Sequence, residues 1–238
     1  MDVIGDLMAR DRRSDSLALQ VDGPGRTYTY YDFITTSYKA GNVLRYLGVR
    51  KGARVAVEPV ALPEPILTFV GAAQLGAQTV FDPTADARAV LVDVARESEF
   101  DLPPGRKLAV YNGPPDSPST THWEKEVWSE NPAVHPEIVE PGDVALVADG
   151  HEYTHGDLLT AAQQVVSEYG LDADDTVVIR SSLSHPGTVV AGILAPLLAG
   201  GTIRVPDGDA PIDDAVAVGD SVPEARSISP DDAVRADE

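Results

Sequence analysis

Tyr28-Thr29-Tyr30-Tyr31-Asp32-Phe33 and Tyr153-Thr154-His155-Gly156-Asp157-Leu158 state one phrase twice, and the residues after each repeat too. The first runs on to Gly48, Val55-Ala56-Val57 and Leu75-Gly76-Ala77; the second runs on to Gly170, Val177-Val178-Ile179 and Ala199-Gly200-Gly201. An offset of about 122 to 125 residues is too long for a stacked solenoid and predicts two similar α/β subdomains.

Each phrase opens on a helix-start signal. Thr29 stands three residues before Asp32, and Thr154 three before Asp157, so that a hydroxyl and a carboxylate can satisfy the orphan amides of a first turn. Phe33, Ser37, Ala40, Leu44 and Leu47 then form one apolar stripe, and Leu158, Ala162, Val165, Val166 and Tyr169 form the other, with Gly48 and Gly170 placed to end the helices. The next helices, about Pro63 to Leu75 and Pro186 to Ala199, hold one acid between them, Glu64, and are expected to be buried on most faces. Flanking strands Arg54 to Val57 with Thr79 to Phe81, and Thr176 to Ile179 with Thr202 to Val205, complete β-α-β units that require parallel pairing.

The fold expected is α/β, with two Rossmann-like subdomains and mainly parallel sheets. The boundaries expected are residues 1–142 for the first subdomain, 143–206 for a shorter second one, and 207–238 for an acidic tail. Ala89 to Val92 and Lys107 to Tyr111 read as further strands and Trp123 to Ser129 as a short helix. The tail echoes Leu108-Ala109-Val110-Tyr111 in Ala215-Val216-Ala217-Val218, so it is expected to add one strand. Beyond about Pro223 its acids and small side chains predict disorder.

Against 38 acidic residues stand 18 basic ones, of which only Lys39, Lys51, Lys107 and Lys125 are lysines. A net charge of −20 repels nucleic acid and predicts no nucleic-acid partner. It also opposes compaction in dilute buffer, whereas in molar salt the screening length falls to about 3 Å. This composition is that of a halophilic cytosolic protein. The longest apolar run, Thr188 to Ile203, is short for a membrane span and is broken by Pro196, which predicts no membrane insertion. With no cysteine there is no disulfide framework, thiolate nucleophile or Cys-ligated zinc, and a cytoplasmic location is expected.

Arg26-Thr27-Tyr28-Thr29-Tyr30-Tyr31-Asp32-Phe33, Leu47-Gly48-Val49-Arg50-Lys51-Gly52-Ala53-Arg54-Val55-Ala56-Val57 and Ala72-Ala73-Gln74-Leu75-Gly76-Ala77 resemble the opening of AMP-forming acyl-CoA synthetases, of the adenylate-forming superfamily. The resemblance resumes at Gly142-Asp143-Val144-Ala145-Leu146-Val147 and at Leu183-Ser184-His185-Pro186-Gly187, and covers nearly all of residues 15–206. It implies a carboxylate-CoA ligase that forms an acyl-adenylate from ATP, with magnesium and coenzyme A as further participants.

The departures from that pattern bear on function. The family's strand matching Val144 to Val147 is followed by a Ser/Thr/Gly-rich loop ending in lysine that wraps the ATP phosphates. Here only Ala148-Asp149-Gly150-His151-Glu152-Tyr153 precede Thr154, with two carboxylates and no serine, threonine or lysine. Asp149, Gly150 and His151 thus mark a degenerate phosphate loop. The family's later adenine and ribose motifs, its magnesium-binding glutamate and its catalytic lysine have no counterpart, so no catalytic residue is assigned and no cofactor is expected. ATP, magnesium and coenzyme A enter only if the family activity survives. His185 falls where the family's histidine borders the acyl pocket and is the one candidate remnant of it; the alternative is a histidine that caps the turn.

His151-Glu152-Tyr153-Thr154-His155 fits H-E-x-x-H, in which His151 and His155 hold zinc and the glutamate activates water, but only on a helix through all five residues. Gly150, Thr154 and Gly156 argue for a loop entering a helix instead. Ser181 and Ser182 lack an evident base, and Asp172, Asp174 and Asp175 read as a solvated turn, without the glycine and distal glutamate of a calcium loop. The sequence therefore predicts a truncated, inactive synthetase-like protein with a binding or regulatory role, through self-association or pairing with a full-length acyl-CoA synthetase. Alternatives are residual ligase activity in a split enzyme and, more remotely, a zinc hydrolase.

Overall fold

The computed structural model describes residues 1–23 and 25–234. Both phrases fold as a hairpin feeding a helix. The first is β1 (Leu17–Val21), β2 (Arg26–Thr29) and α1 (Tyr30–Tyr46); the second is β8 (Val144–Ala148), β9 (His151–Thr154) and α4 (His155–Tyr169). At the start of α1 the capping box forms as the spacing predicts. The Asp32 amide donates to Thr29 Oγ1 at 3.1 Å and the Thr29 amide to Asp32 Oδ2 at 3.4 Å.

The helix ends also match. Gly48 and Gly170 have φ of 85° and 64°, and the residue after each closes the turn, Val49 N donating to Leu44 O and Leu171 N to Val166 O. These bonds satisfy carbonyls the last turn would leave bare. All five residues of the first stripe are buried, four in α1 and Leu47 just past it, as are Leu158, Ala162 and Val165 of α4, while Val166 and Tyr169 are half-buried.

In the first run β3 (Arg54–Val57), α2 (Pro63–Gln74), β4 (Gln78–Val80), β5 (Ala89–Asp93), β6 (Lys107–Tyr111), β7 (Thr121–His122) and α3 (Trp123–Ser129) follow. In the second come β10 (Thr176–Ile179), α5 (Pro186–Val189), a π-helical turn Val190–Leu194, α6 (Ala195–Ala199), β11 (Thr202–Val205), β12 (Val216–Val218) and β13 (Arg226–Ile228). α2 is buried along its whole length, Glu64 included.

Two sheets result, ordered β13-β12-β10-β11-β1-β2 and β7-β6-β5-β3-β4-β8-β9. They are one pattern used twice: β10, β11, β12 and β13 correspond to β3, β4, β5 and β6, and β7 is an extra edge strand. Apart from the two hairpins, the pairings are parallel.

The hairpins are exchanged between the repeats. β1 pairs with β11 of the second repeat, and β8 pairs with β4 of the first. The chain accordingly divides into one unit of residues 1–34, 61–63 and from 155 onward, and another of residues 35–60 and 64–154. This corrects the expected boundary between residues 142 and 143, which follows the repeat in the sequence but not the strand pairing.

The tail differs from expectation as well. It adds two strands rather than one, and Val216–Val218 corresponds to Ala89–Leu91 in β5, not to β6, because Ile179 pairs with Val218 as Val57 pairs with Leu91. Past Pro223, β13 pairs with β12 and a 3-10 turn forms over Asp232–Val234, so that stretch is ordered. Its composition misleads because three in-register residues suffice when the strand buries Ile228. The expectation for residues 235–238 lies outside the described residues.

Candidate functional site

The six residues expected to form a degenerate phosphate loop are the end of β8, a two-residue turn and most of β9. Ala148 pairs with His151 and Val147 with Glu152, leaving only Asp149 and Gly150 to turn the chain. Their φ values, 51° and 78°, are both positive, as in a type I′ turn, whose twist matches that of the strands it joins. Asp-Gly is a preferred pair there, since glycine adopts positive φ without steric cost and aspartate tolerates it.

The chemical consequence lies in the amides. A phosphate cradle needs successive N–H groups pointing outward, whereas this segment spends its backbone on the β8–β9 ladder. Asp149, Gly150 and His151 are exposed, and His151 Nδ1 lies 3.2 Å from Asp149 O. The Tyr153 hydroxyl is pushed up by burial and, next, by the negative charge of Asp149.

The H-E-x-x-H stretch is not helical. His151 to Thr154 form β9 and His155 is the first residue of α4, so the side chains alternate along a strand instead of stacking one helical turn apart. His155 is fully buried, and its Nδ1 accepts the Ile4 amide at 3.2 Å. Among the described residues no group of three or more His, Asp or Glu side chains could hold a metal.

His185 caps α5. Its Nδ1 accepts the Gly187 amide at 3.1 Å, so Nε2 carries the proton and donates to Asp231 Oδ1 at 3.0 Å. The tail lies directly on this helix start, since a Cβ added at Gly187 would fall 1.8 Å from Pro230 O. Ser181 Oγ is 2.8 Å from Thr188 Oγ1 and 3.1 Å from Val218 O, with no base in that set. Asp172 and Asp175 cap local amides, the Asp174 N–H donating to Asp172 and the Asp172 N–H to Asp175.

Two buried polar networks were not foreseen. Ligands in parallel sheets favour the carboxyl ends of strands that leave in opposite directions, here β3 and β5. Glu58 fills that point, accepting the Tyr111 hydroxyl at 2.6 Å, the Asp93 amide at 2.8 Å and Arg96 Nη1 at 2.8 Å. Burial alone would raise the Glu58 carboxyl, but these bonds outweigh it and hold it below the usual carboxylate range. At the corresponding end of β10, Arg180 pairs with fully buried Glu224 at 2.5 Å and donates to Gly208 O and Ala210 O, each at 2.6 Å. The available signal is a charged residue directly after an apolar strand in both repeats.

No family model matches the sequence. It is 35% identical over 68 residues to the acetyl-coenzyme A synthetase of Gemmatimonas aurantiaca, covering 28% of this chain and 10% of that protein. With 4-coumarate--CoA ligase 3 of Oryza sativa subsp. japonica it shares 29% identity over 215 residues, covering 78% of this chain and 38% of that protein. The chain thus spans well under half the length of these relatives.

Among solved structures, the anthranilate CoA ligase AuaEII in complex with anthranoyl-AMP superposes with a TM-score of 0.78 at 17% identity, over 91% of this chain and 49% of that one. The N-terminal domain of FACL13 from Mycobacterium tuberculosis gives 0.76 at 17% identity, over 94% and 71%. Among the described residues no helix is long and apolar enough to cross a membrane. The two sheets share the fold of the N-terminal domain of adenylate-forming ligases, and the sequence is similar to AMP-forming CoA ligases over part of their length.

Proposed function

We propose that this chain is a synthetase-like protein that does not itself activate carboxylic acids and serves a binding or regulatory role. The observation that carries this reading is the Asp149-Gly150 turn, which closes β8 onto β9 where the ligase family has a phosphate-gripping loop. Phosphoryl chemistry depends on positioned positive charge and preorganised donors. This segment offers paired amides and the carboxylates of Asp149 and Glu152. The partner envisaged is a full-length acyl-CoA synthetase or a second copy of this chain, in a halophilic cytoplasm. His185 is proposed as a capping residue rather than an acyl-pocket group, because both ring nitrogens are engaged within the fold.

The test is ATP-pyrophosphate exchange with a panel of carboxylic acids in molar salt. No exchange above a protein-free blank is expected. Carboxylate-dependent exchange would instead support the alternative, a ligase activity that ATP reaches by another route, with magnesium and coenzyme A taking part. Light scattering in the same buffer tests association, and a monomer that binds no synthetase would count against the regulatory role.

A further inference from the structure

Three arginines stand side by side at the amino end of the parallel strands β3, β5 and β6. Val55 pairs with Ala89, and Ala89 with Lys107. The residues one position earlier, Arg54, Arg88 and Arg106, therefore share a rung. Two backbone bonds confirm the alignment: Arg88 N donates to Arg54 O at 2.9 Å, and Lys107 N to Arg88 O at 3.0 Å. Neighbouring strands are about 4.8 Å apart and residues on one rung face the same side, so the three guanidinium stems project together. Like charges arranged this way destabilise a sheet unless something offsets them.

The protein offsets little of that charge. Arg106 pairs with Asp86. Arg54 Nε reaches only the neutral Gln78 at 3.3 Å, and Arg88 Nε only the Leu47 carbonyl at 3.3 Å. Among the described residues neither Arg54 nor Arg88 has a carboxylate partner. The three arginines and Asp86 line one surface depression of about 520 Å³, which therefore carries a net charge near +2 in a chain of −20. Its floor is bare. A Cβ added at Gly52 meets nothing within 4 Å, and one at Gly105 meets only Arg88 Nη1, at 3.8 Å.

We infer that this arginine row binds a compact oxyanion bearing several charges. Each guanidinium has five donors in a planar fork suited to phosphate or carboxylate, and most donors of Arg54 and Arg88 are unspent. The depression lies at the opposite end of the strands from Glu58, and the inference is independent of the proposed function.

The experiment is calorimetric titration with tripolyphosphate and, separately, citrate, at low and at molar salt, on the wild type and on Arg54→Gln, Arg88→Gln and Lys125→Gln. At least one anion is expected to bind with one-to-one stoichiometry and more weakly in salt. Arg54→Gln should weaken binding by about tenfold or more, whereas Lys125→Gln, an equal charge change on α3, should alter it by less than about twofold. Tighter binding of tripolyphosphate or of citrate identifies the oxyanion as phosphate or carboxylate. The proposal is overturned if neither anion binds in the millimolar range, or if Lys125→Gln loses as much affinity as Arg54→Gln. Because Arg88 also holds the end of α1, its variant is compared by anion-free unfolding first, and Arg54→Gln decides if it fails to fold.

Discussion

Glu58 and Arg180 occupy the same point of the two repeats with opposite charge: each is the first residue past its strand, and each donates its amide at 3.0 Å to a carbonyl of the neighbouring strand, Glu58 to Leu91 O and Arg180 to Val218 O. Each side chain then finds a counter-ion from a later segment, Arg96 for Glu58 and Glu224 for Arg180. The two sheets thus keep one backbone and one electrostatic solution while inverting its sign. Buried ion pairs contribute little net stability when intact, but removing one partner strands the other.

Arg180→Met should accordingly cost about 3 to 5 kcal/mol, because the buried Glu224 side chain is left charged without its cation and keeps only backbone amides such as that of Ile212, at 3.3 Å. Arg96→Met should cost less, about 1 to 3 kcal/mol, since Glu58 keeps the Tyr111 hydroxyl and the Asp93 amide. Urea unfolding in molar salt measures both, and the reverse order would show that the equivalence is only geometric.

Acid should weaken the fold in two stages. His135 is buried over Gly41 with its ring 5.7 Å from that of Tyr38, and burial takes it from 6.5 down to about 4. Between those values the unfolded chain binds the proton and the folded one does not, so stability is lost as pH falls from about 6.5 to about 4, by up to about 3 kcal/mol. The depressed carboxyls of Glu58 and Glu224 contribute stability above the usual carboxylate range, and this is lost only as pH falls through their lower folded values. His135→Leu should flatten the first stage, comparing urea midpoints at pH 7 and pH 5, and leave the second.

Salt should act in the opposite direction from its effect on an ordinary ion-paired protein. Raising sodium chloride from low concentration to the molar range screens a self-repelling charge of −20, so the thermal midpoint should rise. A midpoint that falls or stays level would remove the halophilic reading.

At the β8–β9 turn, Gly150→Val should destabilise by about 1 to 3 kcal/mol, because a β-branched residue does not tolerate a φ of 78°. Asp149→Asn should be close to neutral, since asparagine accepts the left-handed region readily. Thermal unfolding distinguishes them, and equal effects would argue against the type I′ geometry.

Gly187→Ala tests the docking of the tail on α5. The added methyl would overlap Pro230 O, a backbone atom that moves only with its whole segment. Limited proteolysis should then cleave within residues 219–234 far faster than in the wild type. Unchanged digestion would show that the tail has another anchor.

The repeat and its β-α-β units were legible in the sequence because helix-start spacing, stripe and terminating glycine agree in both phrases, as at Thr29, Leu44 and Gly48. Pairing between distant strands was not. Nothing in Val144-Ala145-Leu146-Val147 says that it joins Thr79 and Val80 instead of the strands that follow it, since either partner would bury the same apolar residues. The residue types of the Asp149-Gly150-His151 segment were legible in the sequence, but that its backbone pairs in a hairpin required the ladder. Arg54, Arg88 and Arg106 carry no local motif and meet only through register.

The reciprocal placement of the hairpins means that a gene cut at the midpoint would not release two self-sufficient modules. Each product would lack the ribbon that closes its own sheet and would hold one belonging to its sibling, so the pieces could complete themselves only by recombining.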